Sequence, residues 1–458
     1  MMENQSKIHD EKAIPAGYKL TEAGVIPDDW DEINLNSIVS VLEAGVSVNS
    51  IDEIDAYSHG KHILKTSCVF NGHFDGSEKK SILPTDVKRA KCSPVKGGII
   101  VSRMNTPALV GEVGYVAENN LDSFLPDRLW QMKFKKDAAH NPKWLATLLS
   151  FPPFSKKIKD TATGTSGSMK NISKSAFLCL KLPWPTIKEQ NIIGKALSDT
   201  DALITALEQL LVKKKAIKTA SMQQLLTGHT RLPLFSKRPD GTLKSYKLSE
   251  LGRIPEDWEV HPLGYLLNDS PRYGINAPAV KLGGSIPVYI RITDISDNGY
   301  FRPTEKVGVN SPHSDSYILQ EGDIVLARTG ASVGKSYLYK PEDGTLVYAG
   351  FLIKITPDQR SLNSKFLFQF LQTQQYWNWI ATNSMRSGQP GVNGNEFASL
   401  PIPVPAKKEQ TAIATILSDM DAELEALEQK LAKFRDIKQG MMQQLLTGRI
   451  RLPLDQQP

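Results

Sequence analysis

"KEQNIIGKALSDTDALITALEQLLVKKKAIKTASMQQLLTGHTRLPL" fills residues 188–234, and "KEQTAIATILSDMDAELEALEQKLAKFRDIKQGMMQQLLTGRIRLPL" fills 408–454. At an offset of 220 the two align without a gap, with 28 identities in 47 positions. A repeat of this kind sets the organisation of the chain before any local reading begins. In the second copy Ile413, Leu417, Met420, Leu424, Leu427, Leu431 and Phe434 advance by fours and threes, the seam of a coiled-coil helix. The first copy puts Ile193, Leu197, Thr200, Ile204, Leu207, Leu211 and Lys214 at the same steps, so Thr200 and Lys214 interrupt the apolar line. Thr186 with Glu189 makes a capping-box pattern at the first helix start, which Ala406 denies to the second. Gly228 and Gly448, with Pro233 and Pro453 beyond them, are stop signals. Each helix is predicted to run for about 40 residues, or roughly 60 Å at ~1.5 Å per residue.

A lone helix of that length with a narrow seam needs a partner. Each seam could pack on its own domain, or the two helices could pair with each other. Related halves about a pseudo-two-fold axis favour the second arrangement, an antiparallel pair with two different heads at opposite ends. A second frame marks the start of each half: "YKLTEAGVIPDDW" (18–30) returns as "YKLSELGRIPEDW" (246–258). The interiors between the frames share little. The expected fold is mixed α/β: two globular domains separated by two long helices pairing as an antiparallel coiled coil. The expected boundaries are a tail at 1–17, a first domain at 18–187, a helix at 188–228 and a linker at 229–245. A second domain at 246–407, a helix at 408–448 and a tail at 449–458 follow. The order of the frames also predicts that "RLPLDQQP" lies near "GYKLTEAG" in space, as the first half's tail runs into the second half's entry.

The 458 residues suit two or more domains, since single cores stop growing near ~250–300 residues. With 40% hydrophobic and 23% charged residues, the chain has the composition of ordinary globular material. No apolar run approaches the ~20 residues that span a bilayer, and the polar start "MMENQSKIHDEK" is unlike a signal peptide. Cys68, Cys92 and Cys179, an odd and sparse set, suit a reducing compartment. The expectation is a cytoplasmic protein with no membrane partner. A net charge of +6 permits a polyanion partner without requiring one.

In each head a buried strand is expected to deliver an arginine into a loop: "GGIIVSRMN" (97–105) offers Arg103, and "GDIVLARTG" (322–330) offers Arg328. A guanidinium there could remain solvated or could meet DNA phosphate or the O6/N7 edge of guanine. Near the end of each head lies a small polar loop, "GTSGSMKN" (164–171) and "MRSGQPGVN" (385–393). Its small residues would let backbone N–H groups approach a phosphate, with Lys170 or Arg386 adding charge.

Other signals fail on chemistry. "GASVGKS" (330–336) has three residues between its glycines where a phosphate-binding P-loop has four, and strand rather than helix follows. "FPPF" (151–154) lacks the amide side chain that an adenine methyltransferase needs, and no Gly-x-Gly loop accompanies it. His59, His62, Cys68 and His73 cluster without the paired cysteines of structural zinc, so no metal is expected. "KKK" (213–215) reads as a solvated helix face. No nucleophile–base or paired-carboxylate arrangement stands out, so no catalytic residue is assigned.

Two dissimilar domains, each entered through a Trp frame and followed by "P-x-P…EQ", a long helix and "MQQLLTG…RLPL", resemble the specificity subunit of type I restriction-modification systems. The resemblance covers nearly the whole chain. It implies a non-catalytic DNA-recognition subunit whose two target-recognition domains each read one half of a bipartite, asymmetric sequence with a non-specific gap. It also implies that the helices set the gap and form the platform for two methyltransferase subunits that modify adenine N6. Restriction/translocase subunits cut unmodified DNA, and S-adenosylmethionine, ATP and Mg belong to the partners, leaving no cofactor here. On this reading the DNA-binding residues are Arg103, Asn105, Ser166, Ser168, Lys170 and Asn171 in the first head. In the second they are Arg328, Thr329, Ser332, Lys335, Arg386, Ser387, Gln389 and Asn393. Helix pairing falls to Ile193, Leu197, Ile204, Leu207, Leu211, Ile413, Leu417, Leu424, Leu427 and Leu431, and partner docking to Gln223, Gln224, Gln443 and Gln444. The rivals are a coiled-coil scaffold that binds protein but no DNA, and a P-loop nucleotide-binding protein.

Overall fold

The computed structural model describes residues 14–164, 168–385 and 389–454. It divides into two compact units, residues 1–206 with 431–458 and residues 207–430. Each unit therefore combines one head with a part of both long helices. Those helices are Ile187–Leu226 and Lys407–Leu445, 40 and 39 residues long.

In the first unit an entry hairpin, Tyr18–Thr21 with Gly24–Pro27, precedes a strand Asp31–Asn34 that pairs antiparallel with Lys181–Trp184. The beginning and end of the head are thus tied together just before the first long helix. Between them lies a six-stranded sheet, with Leu129–Phe134 and Ile99–Ser102 in its interior, and a separate four-stranded sheet. The second unit repeats the tie, with hairpin Tyr246–Ser249 and Gly252–Pro255, then Glu259–Pro262 paired with Pro401–Val404. Its head holds two four-stranded sheets. The frames match, and the sheets they enclose do not.

The helices run antiparallel within each unit. In the first, Thr200 Oγ1 donates to Met441 Sδ at 3.6 Å and Lys438 pairs with Asp201. In the second, Lys214 pairs with Glu423 at 2.7 Å, Lys215 with Glu428 at 2.7 Å, and Lys218 with Asp421. The two polar interruptions of the first seam are satisfied, Thr200 by the Ala196 carbonyl of its own helix at 2.9 Å with Met441 sulfur nearby, and Lys214 by a carboxylate across the pair. Ile193, Leu197, Ile204, Leu207, Leu211, Ile413, Leu417 and Leu431 are buried, while Leu424 and Leu427 are half-buried.

The motif "MQQLLTG" is spent mainly inside the fold. Leu445 and Leu446 join the first unit's core with Trp30, Trp144 and Ile193, and Leu225 and Leu226 join the second's with Trp258 and Ile413. Gly448 and Gly228 follow with φ of +68° and +74°, in the left-handed region that glycine enters without strain. A Cβ at Gly448 would stand 2.4 Å from Pro27, and one at Gly228 2.4 Å from Pro255. Each helix end thus lies against the entry hairpin of the half that does not contain it in sequence. Tyr18 donates its hydroxyl to the Gly448 carbonyl at 3.0 Å and Arg451 pairs with Asp29, so the start of the expected tail does meet the N-terminal frame, while residues 455–458 lie outside the described residues.

A buried carboxylate locks each closure. Glu409 accepts the Trp258 indole N–H at 3.2 Å and two Arg231 N–H bonds at 2.6 and 2.7 Å. Arg231 also forks onto Asp257 at 2.8 and 3.2 Å and lies over the Trp258 ring, 5.7 Å from its centroid. Glu189 holds Trp30 at 3.1 Å and Arg451 in the same way, with Arg451 forked onto Asp29 at 2.9 and 3.0 Å. The Thr186–Glu189 capping box is consequently only half made. Thr186 accepts the Glu189 N–H at 3.4 Å, while the Glu189 carboxylate turns to Trp30 and Arg451. A double charge-assisted pair outbids a single cap bond. The adjacent Gln190 and Gln410 are fully buried and accept the backbone N–H of Asn141 and Asn363, the caps of two short head helices. "KEQ" is therefore a fastening between helix and head.

Candidate nucleic-acid interface

Strand Ile99–Ser102 is buried at every position, between Leu129–Phe134 and Val113–Tyr115. Its apolar run suits a strand covered on both faces. The chain leaves the sheet at Arg103, whose Nε donates to the Asp127 carbonyl at 2.7 Å and whose guanidinium lies 5.9 Å from the Trp130 ring centroid. Beyond it, Met104–Asn105 pairs antiparallel with Lys170–Asn171, and Ile172 N–H donates to the Arg103 carbonyl at 2.9 Å. Two loops distant in sequence are brought side by side.

The second unit builds the same junction. Strand Ile324–Ala327, also wholly buried, runs between Leu352–Ile355 and Ser336–Leu338 and ends at Arg328. Val392 N–H donates to the Arg328 carbonyl at 2.9 Å, Gly330 N–H to the Pro390 carbonyl at 3.1 Å, and Thr329 bridges to Gly391. Ile172 and Val392 differ by 392 − 172 = 220, the offset of the helix repeat. Backbone positions correspond while the surroundings differ, for Arg328 lies 4.9 Å from the centroid of Tyr273. Among the described residues neither arginine forms an ion pair, so each retains charge for an anion or a base edge.

The family description "Type I restriction modification DNA specificity domain" matches residues 27–218 and 255–433. The chain belongs to this family. The putative type I restriction enzyme MjaX specificity subunit of Methanocaldococcus jannaschii is 25% identical over 95% of this chain and 97% of its own length. The EcoBI specificity subunit of Escherichia coli is 23% identical over 63% of this chain and 62% of its own. A crystal structure of the type I restriction-modification S subunit from M. genitalium has a TM-score of 0.57 at 17% identity. It covers 93% of this chain and 97% of that one, and so carries the fold. This specificity chain is a sequence-specific DNA-recognition subunit, and catalysis is not its part.

The remaining candidate side chains of the specificity chain have mixed surroundings. Asn105 is buried, its amide donating to Ser102 Oγ at 3.2 Å and its oxygen accepting Thr106 N–H at 2.8 Å. Lys170 donates to the Gly164 carbonyl at 3.1 Å, and the buried Asn171 Oδ1 has no hydrogen-bond partner among the described residues. Ser168 and Gln389 are exposed, and Thr329 and Ser332 are half-buried. Asn393 closes a capping box with Glu396 at the start of Gly394–Ala398. Ser166, Arg386 and Ser387 lie outside the described residues. Lys335 pairs with Asp297 at 2.7 Å and holds that carboxyl below its ordinary range. The next residues form strand Ser336–Leu338, and a P-loop would need a helix there.

Gln224 and Gln443 are exposed, Gln223 and Gln444 half-buried, and Gln224 accepts the Thr230 hydroxyl at 3.0 Å. Among the described residues no three His, Cys, Asp or Glu side chains gather as a metal site, and no helix is long and apolar enough to cross a membrane. His62 pairs with Asp55 at 3.1 Å, and Cys68 is buried in a core cluster. Sequence reasoning missed Trp130 and Tyr273, the rings beneath the two arginines. Trp130 reads as a core residue, and Tyr273 stands in a short strand, "RY", that gives no periodic signal.

Proposed function

We propose that this specificity chain reads a bipartite, asymmetric duplex target with a non-specific gap. The loops at Arg103 and Lys170 read one half-site, and those at Arg328, Thr329 and Gln389 read the other. The observation that carries the reading is the junction found in both units. The same strand end and the same backbone bond present an arginine, set among different side chains in each. Matched presentation with unmatched chemistry suits two half-sites of different sequence.

By family membership the subunit serves two methyltransferase subunits that modify adenine N6, and restriction/translocase subunits that cut unmodified DNA. S-adenosylmethionine, ATP and Mg belong to those partners, and the complex works in the cytoplasm. Gln224 and Gln443, exposed at the ends of the two helices, are positions for partner docking. Mapping N6-methyladenine across the genome, in cells with and without this gene and with its methyltransferase present, tests the proposal. A gapped, asymmetric motif that vanishes with the gene is the expected result. An unchanged map in cells that assemble the complex overturns it.

A further inference from the structure

Arg328 and its neighbours carry a more specific assignment, which rests on the DNA-reading role above. We propose that Tyr273 is a positioning residue for base recognition in the second unit. Its ring holds the Arg328 guanidinium in one plane, ready for bidentate pairing with the O6 and N7 of a guanine.

Tyr273 is fixed at both ends. Its backbone lies in the edge strand Arg272–Tyr273, paired antiparallel with Leu352–Ile355 and opposite Ile353. Its hydroxyl accepts the N–H of Gly394 at 3.1 Å, at the start of the helix that follows the second loop. A ring tethered in this way cannot swing aside. The Arg328 guanidinium carbon sits 4.9 Å from the ring centroid, well within cation–π range. Phe351 contributes its carbonyl to the Arg328 N–H at 3.1 Å, so the backbone beneath the side chain is fixed as well.

Arginine reads guanine through a planar fork, and a long side chain loses rotamer freedom when it commits that fork to a base. A preformed aromatic face removes part of that cost before DNA arrives. Arg103 obtains its orientation differently, since its Nε is held by the Asp127 carbonyl. Among the described residues Arg328 has no hydrogen bond from its guanidinium, and the Tyr273 face is what orients it. Tyr273 is 44% exposed, so changes to its ring leave the core intact.

The test uses the chain assembled with its methyltransferase subunits and duplexes bearing the gapped motif found by methylation mapping. Each base pair of the second half-site is varied singly. Position 273 is occupied in turn by tyrosine, by phenylalanine, and by phenylalanine with one, two and three ring fluorines. These isosteric rings keep the packing while draining the π face. Arg328→Ala should lose discrimination at one G·C pair by about tenfold or more, the effect of one lost bidentate contact. Tyr273→Phe should retain most of it, and each added fluorine should lower it further at that same pair. Binding to duplex of random sequence should not move. Tyr273→Leu combined with Arg328→Ala should discriminate no worse than Arg328→Ala alone.

A flat response across the fluorine series overturns the assignment. So does a loss at a different base pair, or a uniform loss on all sequences. A wild-type complex with no preference for the mapped motif would instead overturn the DNA-reading role itself.

Discussion

Glu189 and Glu409 sit in matching cages, each bound by a tryptophan and an arginine, and each arginine is forked onto a second carboxylate, Asp29 or Asp257. Arg103 and Arg328 leave matching strands for unlike company, one tethered to a carbonyl near Trp130 and the other lying over the Tyr273 ring. The carboxylates at the centre of the cages are buried, so any change in them is felt as strain in the fold. The loops face outward, so their side chains can differ without cost to the core. A chain built this way can exchange what it reads while keeping how it is closed. The repeated helix ends follow from that closure, since each copy must seat two leucines and a glycine against an entry hairpin. The exposed glutamines are what the closure leaves over.

Breaking a cage should have the largest effect, and it should separate the two units. The Arg231 side chain is 5% exposed and the Arg451 side chain 39%, around carboxylates that are each 2% exposed. Glu409→Ala leaves the buried Arg231 with Asp257 alone and the buried Trp258 N–H without its acceptor, and should cost about 1–3 kcal/mol. Glu189→Ala should cost clearly less, because Arg451 can turn to water. Hydrogen exchange of amides in the two entry hairpins measures both, and equal losses would erase the difference drawn here. The glycine stops should behave alike. Gly228→Ala and Gly448→Ala each force a Cβ into the left-handed region and against a proline, at about 1–3 kcal/mol. A measurable gap between them in denaturant midpoint would show that the closures are not equivalent.

The loops should separate by half-site. Arg328→Ala should weaken target binding by ~1–3 kcal/mol through one half-site, and Arg103→Ala through the other. Titration against duplexes altered in one half at a time reads this directly.

A smaller effect should appear in acid. Burial opposes ionisation of Asp257, but hydrogen bonds from Arg231 and Lys244 outweigh it and bring the carboxyl down to about 2. A folded pKa below the unfolded one adds stability that is present above about pH 4 and is lost as the pH falls toward 2. Asp257→Asn should therefore flatten that part of the acid limb, as measured by thermal unfolding from pH 5 to 2.

Much of the architecture was legible because repetition and periodicity are local signals. The helix seams and the stop glycines follow from letters at an offset of 220, and the meeting of the tail with the first frame follows from the order in which the entry frame recurs. The meaning of Glu189 was not legible. Its spacing from Thr186 reads as a cap, and only the fold brings Trp30 and Arg451 to it. The arginines could be found because each ends an apolar run. Tyr273 could not, since an isolated aromatic in a two-residue strand has no pattern to betray it. Asn105 shows the converse, a polar residue beside the proposed reading arginine whose amide serves its own turn.

The most direct test of the central claim, that two independent reading sites share one frame, is a methylation map made with Arg328→Ala in place of the wild-type chain. The expected map keeps the gap and one half-site intact and loses its preference at a single position of the other half. Loss at both halves together, or a gapped motif identical to wild type, would contradict the account.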